Sequence, residues 1–312
     1  MPQTSLIDLN YKITAALTAD DFCLWFPQLT SDLARAEWQN LNAKNGIREE
    51  NYGTARVILN DSSIPRNIAH TLLLGNQAKE VKNIISVELL PISIADQYKN
   101  TGVVFYNLEE LLSSDDIHNE ILDCLTDAIN IIRQVPSLFT TVVHLVKSIH
   151  LIKPESDDYD ISFSEPSIPF SIFVSAIRRE DEINALRIAE AIIHEAMHLQ
   201  LTLIEKVTPL VFNTGNNYYS PWRTEHRTAG GVLHALYVFR VIEIFFRELL
   251  ERNFVCLQSA NYLTKRRWEI NIQINKIQSF SDCRELTQLG KIFVQNLIKP
   301  IINTKDFQSI RL

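Results

Sequence analysis

The sequence predicts an α+β fold, mostly helical, with a small mixed sheet just ahead of one long metal-binding helix. Three observations carry this reading. Apolar residues recur at helical spacing through most of the C-terminal half. Short runs rich in β-branched and aromatic residues cluster between positions 84 and 176. The amphipathic stretch 184–206 follows the last of these runs directly. With 312 residues, 46% of them hydrophobic, the chain can bury a large core as one domain or as two closely packed ones.

Residues 1 to about 80 read as several short helices, broken at Pro27, at Pro65 and around Asn45-Gly46. Strands are expected at 84–90 and 103–106, and helices at 117–135 and 139–148. Three strand-like pieces follow at 150–153, 159–164 and 170–176, the last two joined through Pro166 and Pro169. After the 184–206 helix come a loop over 207–223 and helices at 229–252, 257–278 and 283–297. The chain divides into a mainly helical region, 1–150, and a metal-binding catalytic region, 151–312, which one continuous domain can accommodate. The first either recognises a peptide or only completes the fold.

Composition narrows the function classes. A net charge of −7 and the lack of a basic tract argue against a nucleic-acid partner. Cys23, Cys124, Cys256 and Cys283 are scattered without a CxxC pair, as expected for reduced thiols in a cytoplasmic protein. The first residues show no signal-peptide pattern. The apolar stretch 230–246 is interrupted by His234, Arg240 and Glu243, so it reads as a buried helix and not as a membrane span. No phosphate-binding loop, dinucleotide fingerprint or nucleophile elbow is present.

His194-Glu195-Ala196-Met197-His198 is an HExxH run. Histidines four apart share a helix face, and both imidazoles can bind one divalent ion. Leu186, Ile193, Met197, Leu201 and Ile204 form the apolar stripe beside them. A third ligand must come from downstream, with Glu205, Glu225, His226, His234 and Glu243 as candidates. No histidine lies between His198 and His226, which argues against an extended metzincin motif. His234 follows Gly230-Gly231 at the start of an apolar helix, where a neutral imidazole can point into a cleft. Arg223 and Arg227 have the spacing and fork geometry that suit carboxylate recognition, although a surface loop with one structural tryptophan accounts for them equally well. The strand at 170–176 has two readings: a sheet edge along a cleft that holds an extended peptide, or a plain core strand. His144 and His150 flank a helix end, where core or capping roles suit them.

Three runs resemble the HExxH motif-containing peptide-modification family of α-ketoglutarate-dependent peptide β-hydroxylases. They are Ile161-Ser162-Phe163-Ser164 with Pro169; Ala189-Glu190-Ala191-Ile192-Ile193-His194-Glu195-Ala196-Met197-His198-Leu199; and Tyr219-Ser220-Pro221-Trp222-Arg223 through Arg227 to Gly231-Val232-Leu233-His234. The likeness spans about residues 155 to 245. It departs from the family pattern at Thr228, where proline is common, and at Ala235, where glycine is.

The resemblance implies a non-haem Fe(II) dioxygenase, a cytoplasmic oxidoreductase, that uses α-ketoglutarate to hydroxylate Cβ of a side chain in a ribosomally made precursor peptide. His194, His198 and His234 would then be iron ligands, Arg223 or Arg227 would hold the cosubstrate, and Glu195 would orient a water or a ligand. Three histidines differ from the commoner two-histidine, one-carboxylate set. The alternative is a zinc metallopeptidase with Glu195 as general base and Glu225 or Glu243 as third ligand. A third reading is a silent peptide-binding protein that keeps a metal for stability.

Overall fold

A computed structural model describes residues 6–19, 24–45, 72–73, 85–88, 96–98, 100–106, 115–153, 161–165, 170–176, 183–212, 214–252 and 256–299. Its architecture is α+β. The described helices are α1 (Leu6–Thr18), α2 (Pro27–Asn45), α3 (Asp115–Arg133), α4 (Pro136–Leu145), α5 (Asn184–Val207), α6 (Ala229–Glu251), α7 (Leu257–Asn275) and α8 (Gln288–Ile298). The strands are β1 (Leu72–Leu73), β2 (Ser86–Glu88), β3 (Val104–Phe105), β4 (Ser148–Lys153), β5 (Ser162–Ser164), β6 (Ser171–Ser175), β7 (Asn217–Ser220) and β8 (Glu225–Thr228).

The main sheet runs β1-β2-β4-β6-β5, with β3 pairing β4 beyond the end of β2. β2, β4 and β6 are parallel, while β1, β3 and β5 pair antiparallel. Parallel strands are covered on both faces, which is why β4 and β6 are buried along almost their whole length. Alternate residues divide between two cores. Ile149, Leu151, Ile172 and Val174 join the large core shared with the helices. Ile152 and Phe173 face a small aromatic cluster on the other side with Tyr98, Phe105 and Phe163. There Phe163 stacks on Phe173 at 4.4 Å and 6°, and His150 stacks on the same ring at 5.0 Å.

The large core is continuous from Leu9 on α1 to Ile298 on α8. Helix α5 lies across β5 and β6 and packs against α3, α4 and α6. Helix α6 is long and apolar enough to cross a membrane, but 78% of its most apolar window is buried inside the protein. Thr228 caps its start, accepting from Gly231 N at 3.2 Å.

Several boundaries differ from those expected. Pro27 opens α2 instead of breaking a helix, since its fixed φ suits the first helical position. Pro136 likewise starts α4 early, and β4 already begins at Ser148, so the expected helix 139–148 is displaced. The strand at 170–176 is interior to the sheet, and β5 takes the end position. The expected loop 207–223 contains β7, which forms a hairpin with β8. The last helix starts at Gln288 and not at 283, because a 3-10 turn over Gln278–Asp282 leads into a segment that pairs Leu286 with Val211. Pro65, Gly46, Pro166 and Pro169 fall outside the described residues.

That last segment is tightly fitted. Thr287 N donates to Leu210 O at 2.9 Å, and a Cβ at Gly290 would overlap the same carbonyl oxygen. Backbone cannot retreat as a flexible side chain can, so Gly290→Ala should destabilise the protein by about 1–3 kcal/mol or more. Urea unfolding with an unchanged slope and a lower midpoint would report it.

Candidate metal centre

Helix α5 brings His194 and His198 to one face, and α6 brings His234 against them. His194 Nε2 stands 3.2 Å from His198 Nε2, and His198 Nδ1 stands 3.1 Å from His234 Nδ1. His234 Nε2 reaches Glu205 Oε2 at 2.9 Å. The tautomers follow from this chain of contacts. A carboxylate accepts, so His234 Nε2–H donates to Glu205 and leaves Nδ1 bare. His198 Nδ1–H then donates to His234, and His194 Nε2–H donates to His198. In this row each contact has one donor and one acceptor. Burial, joined by the charges of Arg266 and Arg223, lowers the His194 pKa to about 4. Burial pushes His198 well below the usual histidine range, with His194, His234 and Arg227 adding to it.

Two of these imidazoles have the spacing of ligands to one divalent ion. Two nitrogens bound at 2.0–2.1 Å in adjacent positions stand about 3.0–3.4 Å apart, and the His194–His198 pair meets that spacing. Glu205 behind His234 is the carboxylate that commonly orients a metal-binding imidazole. The three rings nevertheless form a row. His198 turns one nitrogen to each neighbour, and among the described residues no three His, Cys, Asp or Glu side chains are grouped to hold one ion.

Glu195 is 3% exposed and accepts from Ser162 Oγ at 2.8 Å. Burial raises its pKa to about 7, against the opposing hydrogen bonds from Ser162 and Ser164 and the charge of Arg223. β5 thus touches the site through two serines one residue apart, which share a face of the strand. One turn before His194, Glu190 accepts Nε and Nη2 of Arg266 at 3.0 and 2.8 Å and Tyr262 OH at 3.1 Å. Arg266 lies over the Phe239 ring, which packs edge-on against His194 at 5.3 Å and stacks on Trp222 at 5.3 Å and 6°.

The other expected residues divide clearly. Arg223 lies in the turn of the β7–β8 hairpin and Arg227 on β8, both exposed to solvent, with their charges bearing on His194, Glu195 and His198. Glu225 is exposed and faces Arg227 at 3.8 Å, and His226 is exposed beside Tyr219. Glu243 is 1% exposed and bound by Arg240 and Arg267. It is nine residues beyond His234 on α6, roughly 13 Å along the helix, so it is no third ligand to this row. Glu190, Ser162 and Ser164 lie within the motif runs, which give no sign of their roles; Arg266 and Phe239 have no local signal at all. No protein-family model matches the chain, and no curated protein sequence matches it significantly.

The Glu195 shift has a signed consequence for the metal-free protein. Its ordinary pKa is 4.5 and its folded value about 7, so the folded state holds the proton more tightly. The resulting penalty is absent below about pH 4.5, grows through that window and is complete above about pH 7. It amounts to about 3 kcal/mol. With chelator present, Glu195→Gln should therefore raise the melting temperature at pH 8 and change it little at pH 5. Equal shifts at both pH values would contradict the assignment.

Proposed function

We propose that the chain is an Fe(II)- and α-ketoglutarate-dependent oxygenase that hydroxylates Cβ of a side chain in a ribosomally synthesised precursor peptide. The observation that carries this reading is the hairpin that stands two arginines beside a row of three histidines. Among the described residues neither arginine has a close carboxylate partner; the one contact, Arg227 to Glu225, is 3.8 Å and exposed. Peptide-bond hydrolysis has no need of two such cations, whereas a dicarboxylate cosubstrate does.

In this proposal His194, His198 and His234 would hold the iron once their ring-to-ring hydrogen bonds give way, and Arg223 or Arg227 would hold the far carboxylate of the keto acid. Iron with α-ketoglutarate and O₂ supplies the oxidation of the C–H bond. The protein's own part is positioning. Glu205 fixes the tautomer that leaves His234 Nδ1 free to bind. Ser162 and Ser164 hold Glu195 at the site. Trp222 and Phe239 form an apolar wall against His194 that limits water. β5 has a strand neighbour on one side only among the described residues, and an extended peptide laid on its other side would pass Glu195. The three described cysteines are free thiols, in keeping with a cytoplasmic setting.

One observation favours a zinc metallopeptidase as the second reading. Glu195, buried and titrating at about 7, has the pKa that suits a general base.

Anaerobic Fe(II) reconstitution with α-ketoglutarate separates the two. The visible charge-transfer band of an iron-chelated keto acid is expected in wild type, absent in His234→Ala and weakened in Arg223→Ala. A protein that shows no band, retains zinc tightly and cleaves peptides unless Glu195 is replaced by Gln would be a peptidase.

A further inference from the structure

Glu285 has no part in the chemistry proposed above, yet it is a carboxylate only 2% exposed. It receives Thr214 Oγ1 at 2.7 Å, Asn216 Nδ2, the Tyr218 hydroxyl and the Cys283 thiol at 3.1 Å. No Lys or Arg among the described residues lies within ion-pair distance of it. A buried carboxylate without a cation is costly unless hydrogen bonds to its charged form offset the lost hydration. Here the four donors, Tyr218 first, hold the Glu285 carboxyl well below the usual range.

The spacing of the donors is informative. Thr214 and Asn216 flank Gly215, whose φ of 81° turns the chain into β7, where Tyr218 follows. All three converge on a single carboxylate. Backbone bonds run alongside: Phe212 N donates to Glu285 O at 2.6 Å, and Val211 bridges Leu286. Residues 210–212 and 214–218 are thereby pinned to residues 283–290.

The pinned segment leads straight into β7. Tyr218 is the register partner of Arg227, and Ser220 pairs with Glu225 at the turn that carries Arg223. The outer strand β8 is exposed at all four residues, and its Glu225–Arg227 contact is too open to fix it. β8 is held at its end, where Thr228 caps α6, and on the inner strand the anchorage at Tyr218 is the Glu285 carboxylate together with Phe280, whose ring lies 5.8 Å away.

We infer that Glu285 is a positioning residue, a peg that through Thr214, Asn216 and Tyr218 sets the β7–β8 hairpin so that Arg223 and Arg227 face the imidazole row. What the arginines hold rests on the oxygenase reading; the peg itself does not.

The test uses the full chain as wild type, Glu285→Gln and Tyr218→Phe. Tyr218→Phe keeps the ring against Phe280 and removes one donor, so it serves if Glu285→Gln fails to fold. Hydrogen exchange at the amides of 217–228 is followed in metal-free protein, and Fe(II) and α-ketoglutarate affinities are measured separately. Exchange in the hairpin should accelerate by about tenfold, and the α-ketoglutarate dissociation constant should rise by a similar factor. Fe(II) affinity should stay within about twofold, because the three histidines stand on other elements. Unchanged hairpin exchange in a folded variant would overturn the inference, as would Fe(II) affinity falling in step with the keto acid. Accelerated exchange in a protein whose wild type binds no keto acid would uphold the peg and sink the oxygenase reading.

Discussion

Helix α5 carries two imidazoles and a carboxylate into a region largely closed to water, and the surrounding structure answers to that constraint. The apolar side of the helix is satisfied simply, by β6, α3, α4 and α6. Its polar side cannot be satisfied by packing. Each ionisable group is instead neutralised or given directed partners. The histidines pass hydrogen bonds along a row that ends on Glu205. Glu195 takes its bond from β5. Glu190, one turn earlier, is matched by a guanidinium fork and a phenol from α7. The sheet, α6 and α7 are thus arranged around one helix that none of them could bury with apolar side chains alone.

How much of this could be read from the sequence depended on how local each signal was. The α+β class and α5 itself were legible because helical periodicity and HExxH spacing lie within one stretch of chain. β4 and β6 were legible as continuous apolar runs, but their parallel pairing hid which strand ends the sheet. The hairpin was not legible. Its strands are Asn-Tyr-Tyr-Ser and Glu-His-Arg-Thr, largely exposed, without alternation, and joined through Thr224 at a positive φ that glycine or asparagine more often adopts. At the site, the paired histidines were foreseeable and His234 was one of five candidates. Its place beside His198, with Glu205 of α5 behind it, depends on a contact between residues 29 apart. Arg266 and Phe239 reach His194 through tertiary packing, for which no short pattern exists.

The C-terminal part of the chain contributes no first-hand chemistry, yet it sets much of the geometry. Helix α7 supplies the cation opposite Glu190, and the segment before α8 grips the strand that opens the hairpin. Tertiary contacts between residues about 70 apart in sequence therefore decide where exposed side chains point. An exposed hairpin with little core of its own can be held this way without losing access to solvent.

The hydrogen-bonded row of histidines also bears on how the protein meets an ion. Fixing a side chain in one rotamer costs conformational entropy, and in small metal domains that cost falls at the moment of binding. Here folding has already met part of it: the rings stand half-buried on two long helices, tied to one another and to Glu205 by hydrogen bonds. An arriving cation would have to displace the ring-to-ring hydrogen bonds and have His194 carry its proton on Nδ1 instead of Nε2, without having to assemble a backbone. Loading and stripping are in that sense substitutions at a standing frame, and the fold does not wait on them.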